Sequence, residues 1–245
     1  MWLNRPEVHN AFDEHLIASL ISALHQIDSD PSVRVLVLAG RGKSFCAGGD
    51  LAWMRRMASY SHAENLQDAG ALAKMYRTLA QLSKPSIARV HGAALGGGAG
   101  LVAACDMALA TPLASFGTTE VRMGLIPATI SPYVIAAIGA RAAHRYFLTG
   151  ERFDGECALR LGLVNEICPP EALDTRLNEL SEALLAGGPA AQAACKRLIA
   201  DIGGQPVNAQ LIADTSARIA QTRAGAEARE GIQAFFEKRR PAWNP

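Results

Sequence analysis

The residues of this chain best suited to chemistry are one carboxylate and two glycine-rich turns. The turns are Phe45-Cys46-Ala47-Gly48-Gly49-Asp50 and Leu95-Gly96-Gly97-Gly98-Ala99-Gly100, and Glu120 comes after the second. Each turn follows an apolar segment that reads as a strand, Val33 to Ala39 before Gly40 and Ser86 to His91 before Gly92. Glycine lets the backbone approach a ligand closely and present bare N–H groups. Two such donors aimed at one oxygen stabilise the negative charge that builds on a carbonyl as it becomes an enolate, and losing one donor costs about 10²–10³ in rate. The second turn runs into Leu101-Val102-Ala103-Ala104-Cys105, where a helix is expected to start. A helix N-terminus adds roughly half a positive charge, which suits Gly97 to hold an oxyanion. Glu120 is the candidate acid/base beside it.

The same residues fall into a longer series. Asn4-Arg5-Pro6 and Asn10-Ala11 come first, followed by Phe45 to Leu51, Gly96-Gly97-Gly98, Cys105-Asp106 and Phe116-Gly117-Thr118-Thr119-Glu120. Gly124-Leu125-Ile126-Pro127, Leu148-Thr149-Gly150, Gly162-Leu163-Val164 and Phe235-Phe236-Glu237-Lys238-Arg239-Arg240-Pro241 complete it. In order and spacing the series resembles the enoyl-CoA hydratase/isomerase, or crotonase, family through nearly the whole chain. That resemblance implies an α/β fold, a crotonase-like spiral of repeated ββα units with a C-terminal helical unit. It divides the chain into a core at 1–185 carrying the acyl-CoA site and a helical unit at 186–245 that covers the site and packs at a trimer interface. It assigns the oxyanion donors to the N–H groups of Gly49 and Gly97, the acyl-CoA lining to Gly49, Asp50, Leu51, Ala52 and Gly97, and proton transfer at the substrate carbon skeleton to Glu120. It also implies an acyl-CoA substrate, no cofactor apart from the coenzyme A of that substrate, no metal, and a homotrimer or a hexamer built as a dimer of trimers.

The chain departs from the two-glutamate hydratase pattern at one point. The first glutamate of that pattern stands three residues after the oxyanion glycine, where this chain has Gly100. With Glu120 alone, either one carboxylate performs both proton transfers of a hydration or the reaction requires only one. The second case describes an isomerase that moves a double bond along the acyl chain. The segment from Glu120 to Pro132 resembles a branch that hydrates branched, carboxylated enoyl-CoAs such as methylglutaconyl-CoA, so hydration is ranked first and isomerisation is the alternative. A distal carboxylate needs a cation to offset its desolvation, and Arg55, Arg56 and Arg122 are the candidates nearest in sequence. A non-catalytic acyl-CoA-binding or RNA-binding relative is the third reading.

With 24 basic against 23 acidic residues the net charge is +1, which gives no nucleic-acid footprint; Lys238-Arg239-Arg240 is the basic cluster at the tail. The five cysteines, at 46, 105, 157, 168 and 195, lack zinc spacing, and their odd, dispersed pattern argues against a disulfide framework. A reducing cytoplasm is the expected location. The start, Met1 to Pro6, has no signal-peptide pattern, and in the family a strand or hairpin normally precedes Asn-Arg-Pro. No apolar run of about 18 residues or more occurs, so no membrane span is expected. Gly40-Arg41-Gly42-Lys43-Ser44 imitates the end of a phosphate-binding loop, but Val37 stands where that motif needs glycine. No Gly-x-Ser-x-Gly elbow is present.

The elements that must position these groups alternate in the α/β manner. Asn10 is expected to cap a helix carrying Phe12, Leu16, Ile17, Leu20, Leu24 and Ile27, ended by Pro31. A helical stretch from Leu51 to Leu82 breaks near Ser59-Tyr60-Ser61. Strands are expected at Met107 to Ala110 and Leu163 to Ile167, with helical segments at Pro132 to Gly139 and Ala142 to Leu148 between them. Beyond Pro169-Pro170 the pattern is helical throughout.

Overall fold

The computed structural model describes residues 1–244. Ordered along the chain, the first unit contains β1 (Trp2–Leu3), α1 (Glu14–Ser29), β2 (Leu36–Gly40), α2 (Leu51–Met57), α3 (His62–Ala80), β3 (Ser86–Val90), β4 (Ala93–Leu95), α4 (Gly97–Ala104), β5 (Met107–Ala110) and β6 (Ser115–Gly117). It continues through α5 (Ser131–Thr149), β7 (Phe153–Asp154), α6 (Gly155–Leu161), β8 (Glu166–Ile167) and the start of α7 (Leu173–Leu185). The division between the two compact units runs through α7, between Asn178 and Glu179; the second unit also takes in Ser83–Pro85.

Five strands form a wholly parallel sheet in the order β1-β2-β3-β5-β8, with Leu36 opposite Ser86 and Ile87 opposite Met107. Parallel strands covered on both faces read as unbroken apolar runs, which is how Leu36-Val37-Leu38-Ala39 and Met107-Ala108-Leu109-Ala110 read. A second, three-stranded sheet has β4 parallel to β6 and β7 antiparallel to β6. Its strands are two or three residues long, too short for a periodicity to show in the sequence. Helix α4 packs against β3, β4 and β5, α3 packs against α4, and α1 against α3. The eight residues of α4 are almost entirely buried, as a helix without a polar face must be.

Several expectations hold and others are corrected. The break in the Leu51 to Leu82 stretch separates α2 from α3, and Ser61 caps α3 through a capping box with Glu64. Gly139, at φ +74°, interrupts α5 where the first of the two helical segments read from the sequence ends. Asn10, however, does not cap α1. That helix begins at Glu14, and the Asp13 carboxylate accepts from the Leu16 N–H at 2.7 Å. Asn10 sits at φ +57° with its side chain fully buried, accepting from Arg5 N and donating to the carbonyls of Arg41 and Ser44. A short amide that tolerates the left-handed region and bonds backbone on both sides thus ties the start of the chain to the loop after β2. That strand starts at Leu36, three residues later than the β-branched run from Val33 indicated.

In the second unit α8 (Pro189–Ile202), α9 (Ala209–Ala224) and α10 (Ala226–Phe236) follow the rest of α7, in line with the helical pattern read beyond Pro170. Among the described residues no helix is long and apolar enough to cross a membrane.

Candidate active site

The first glycine turn is held in place by strand-like pairing on two sides. Cys46 bridges β4 in parallel fashion: its N–H donates to Ala93 O and its carbonyl accepts from Leu95 N, both at 2.9 Å. On the other side Phe12 donates from its N–H to Gly48 O and accepts from Asp50 N, each at 2.7 Å. These bonds clamp the residues flanking Gly49 and leave its own N–H without a partner among the described residues. Gly48 takes φ +96°, which favours glycine, and a methyl added there would meet Leu95 O at 3.0 Å and Gly97 N at 3.8 Å. The two turns therefore lie side by side.

The second turn leaves β4 at Leu95. Gly96 adopts φ +50°, ψ −118°, a conformation reserved in practice for glycine, and its N–H donates to Gly117 O at 2.7 Å. Gly97 is then the first residue of α4, and its N–H is one of the helix-initial donors that no intrahelical carbonyl reaches. Gly98 packs so closely that a methyl on it would come within 2.1 Å of Cys46 O. The sequence thus places two unpaired N–H donors, Gly49 and Gly97, on adjoining turns, one of them at a helix N-terminus.

Glu120 arrives through the second sheet. Because β6 pairs beside β4 with Gly117 opposite Leu95, the chain leaving β6 passes the triple-glycine turn, and Glu120 opens a short 3-10 turn ending at Met123. A methyl built on Gly96 would lie 3.0 Å from Glu120 Oε1, so the carboxylate stands directly against the turn that carries Gly97. Its Oε2 is buried and has no hydrogen-bond partner. Burial pushes the carboxyl above the ordinary glutamate value, opposed in part by a bond from its own backbone N–H. A half-buried carboxylate with one buried, orphaned oxygen beside two unpaired donors is suited to carry a proton to and from a bound substrate.

The space beyond Gly100 is filled. A Cβ there would lie 2.2 Å from Ile130 Cγ2, 2.8 Å from Ile130 Cβ and 3.0 Å from Tyr76 Cε1. Ile130 and Tyr76 are both fully buried. The place of a second carboxylate is an apolar plug, so Glu120 is the carboxylate at the triple-glycine turn.

Asp50, Leu51 and Ala52 follow the first donor. The Asp50 carboxylate caps α2, accepting from Ala52 N and Trp53 N, and pairs with Arg5 at 3.2 Å. Burial works to raise its pKa, but the Trp53 and Ala52 N–H groups and the Arg5 charge outweigh that and hold it below the ordinary value. Leu51 and Ala52 are exposed on the first turn of α2. Of the three arginines, Arg56 is engaged by both oxygens of Glu14 at 2.7 Å, while Arg55 and Arg122 are exposed, Arg122 on the turn that Glu120 opens. Cys46 is fully buried and burial pushes its thiol up to about 12, which leaves a packed side chain and no nucleophile. Asp106 binds the N–H and hydroxyl of Ser86, and His91 contacts Gly42 O at 2.8 Å.

Three residues that matter to this geometry were not singled out from the sequence: Phe12 as more than a core residue, Tyr76 and Ile130. Tyr76 donates its hydroxyl to Gly97 O at 2.9 Å. Its one available signal was a polar-tipped aromatic among Met75, Leu79 and Leu82, which are all buried apolar residues.

The family model for enoyl-CoA hydratase/isomerase matches residues 1–245. The crystal structure of an enoyl-CoA hydratase from Shewanella pealeana superposes with a TM-score of 0.97 at 43% identity, over 99% of this chain and 91% of that one. A crotonyl-CoA hydratase of Syntrophomonas wolfei is 31% identical over 98% of this chain and 92% of its own. An (E)-benzylidenesuccinyl-CoA hydratase of Thauera aromatica is 32% identical over 98% of this chain and 93% of its own.

Proposed function

The chain belongs to the enoyl-CoA hydratase/isomerase family, and from that premise we propose that it adds water reversibly to the conjugated double bond of a 2-enoyl-CoA. The observation that carries this reading is Glu120, half-buried, with its buried Oε2 unpartnered and its carboxylate pressed against the turn that presents Gly97. The thioester oxygen lies between the N–H groups of Gly49 and Gly97. Glu120 takes a proton from water as the oxygen bonds to C3, and electron density moves through C2 into the thioester oxygen. The enolate collapses as Glu120 returns that proton to C2. Water's hydroxyl and one hydrogen are thereby accounted for, and one carboxylate acts at both carbons. The donors stabilise the enolate most where its charge is largest. The chemistry calls on no resident cofactor; coenzyme A comes with the substrate.

The acyl group is read as branched and carboxylated, of the methylglutaconyl kind. Supporting this are the segment from Glu120 to Pro132, the exposed Arg122 two residues from the acid/base, and a relative named for benzylidenesuccinyl-CoA. The plug at Gly100 favours a second reading, a double-bond isomerase, because one base suffices to carry a proton between C2 and C4. Assembly as a trimer or a dimer of trimers accounts for the exposed aromatic pair Phe235 and Phe236 on and around the end of α10.

The test is loss of enoyl-thioester absorbance with methylglutaconyl-CoA and crotonyl-CoA, for the wild type and Glu120→Gln. Hydration should fall by about 10²–10⁴ in the variant. A folded wild type that binds acyl-CoA but converts only 3-enoyl-CoAs, with a gain in absorbance, would replace hydration by isomerisation.

A further inference from the structure

The geometry points to Tyr76 as a positioning residue that holds the Gly97 oxyanion donor in line with the Gly49 donor, acting together with Phe12. The inference rests on the oxyanion reading of the two turns.

A run of three glycines is a poor support for a preorganised donor. Glycine loses more backbone freedom on ordering than any other residue, and an N–H that wanders loses its electrostatic value. The turn must therefore be pinned from outside. On one side Gly96 N–H is bonded to Gly117 O on β6. On the other, Tyr76 on α3 donates its hydroxyl to Gly97 O at 2.9 Å, the one side-chain hydrogen bond to this turn among the described residues. Tyr76 is 0% exposed, so this bond is not in competition with water.

Phe12 links the same tyrosine to the other donor. Its backbone brackets Gly49 through Gly48 O and Asp50 N. Its ring packs edge-on against Tyr76, centroids 6.4 Å apart and planes at 85°, and a methyl on Gly97 would meet Phe12 Cε2 at 2.6 Å and the Tyr76 hydroxyl at 2.7 Å. One aromatic pair thus touches both donor turns. It tolerates only glycine at 97 and sets the spacing of two N–H groups that no direct bond connects. Tyr76 also closes the space beside Gly100, so the residue that pins the donor excludes the second carboxylate as well.

The experiment compares Tyr76→Phe with Ile130→Val, which trims the same plug and leaves the hydroxyl in place. Steady-state hydration is read together with the ultraviolet band of bound acetoacetyl-CoA, whose enolate reports donor strength directly. Tyr76→Phe is expected to lower kcat about tenfold with KM within twofold, and to weaken the enolate band by a similar factor; Ile130→Val should leave both near wild type. As a second substitution, 3-fluorotyrosine at position 76 keeps the ring and a more acidic hydroxyl, and should hold kcat at or above wild type. Equal kcat and equal bands in Tyr76→Phe and wild type would overturn the proposal while leaving the oxyanion reading intact. An equal loss in Ile130→Val, or a tenfold fall with fluorotyrosine, would overturn it in favour of packing. No enolate band in the wild type would remove the oxyanion reading, and this proposal with it.

Discussion

Replacing Gly100 by alanine should destabilise the protein, although alanine is the best helix former and glycine among the worst. At an exposed helix position the exchange gains about 1 kcal/mol. Here the new methyl would lie 2.2 Å from Ile130 Cγ2, against an optimal carbon–carbon separation of roughly 3.5–4.0 Å, so Ile130 must move by more than an ångström in a fully buried site. Overpacking of this kind costs typically about 1–3 kcal/mol, and an overlap this deep belongs at or above the upper end. The net loss expected is about 2 kcal/mol. Ile130→Ala alone should cost about 2–5 kcal/mol through lost contacts and a cavity. In the double variant the 2.2 Å overlap with Ile130 Cγ2 is relieved, while the contacts at 2.8 Å with Cβ, which alanine keeps, and at 3.0 Å with Tyr76 Cε1 remain, so the combined loss should fall between that of Ile130→Ala alone and the sum of the two single losses. That corresponds to a coupling of about 1 kcal/mol between the two positions, below the full cost of Gly100→Ala. The assay is urea unfolding of the four proteins at one protein concentration, with midpoints compared at constant m. A Gly100→Ala variant as stable as wild type, or strict additivity, would refute the plug and reopen the space for a second acid.

Other outcomes follow from the same geometry. Because burial raises the Glu120 carboxyl, the acidic limb of kcat/KM should lie above the ordinary glutamate range and move with no other residue's substitution so strongly as with Glu120→Gln, which should also lose activity at the pH optimum. The linked stability has a definite sign. A carboxyl raised in the folded state contributes stability that is fully present below its unfolded pKa and lost as the pH rises through the raised value. Glu120→Gln should therefore melt higher than wild type at pH 7.5 and nearly equal to it at pH 4, as differential scanning calorimetry will show; a gap that widens in acid would contradict the assignment. Asn10→Ala removes three hydrogen bonds from a buried left-handed residue, leaving the carbonyls of Arg41 and Ser44 without that donor. A loss of about 3 kcal/mol is expected, or roughly 6–12 °C in melting temperature for a chain of this size; a shift under 2 °C would show that the amide is dispensable. Cys46, with its thiol near 12 and no exposure, should resist alkylation in the native protein at pH 8 while the exposed Cys195 reacts, which mass spectrometry of labelled peptides resolves.

Much of the fold and of the candidate site was legible in the residues themselves, because local chemistry decides those features. A capping serine with glutamate three residues on starts α3, unbroken apolar runs make the central strands β2 and β5, and leucine and alanine at helical spacing make α7 to α10. Glycine clusters after strands located both donor turns, since no other residue takes Gly96 through its backbone angles. What the sequence could not carry are relations between segments distant along the chain. The strands β4 and β6 are three residues each, shorter than any readable period, yet their pairing brings Glu120 against Gly96. Asn10 reads as a cap because its type favours caps; long-range bonds to the loop after β2 made it a tie instead. The missing first glutamate was visible as Gly100, but only packing shows that Ile130, thirty residues on, and Tyr76, on another helix, fill its place. Side-chain volume in a close-packed interior is set by whichever elements meet there. Residue types along the chain determined which groups were available for catalysis; the meeting of α3, α4 and the start of α5 decided that one carboxylate stands at the donors.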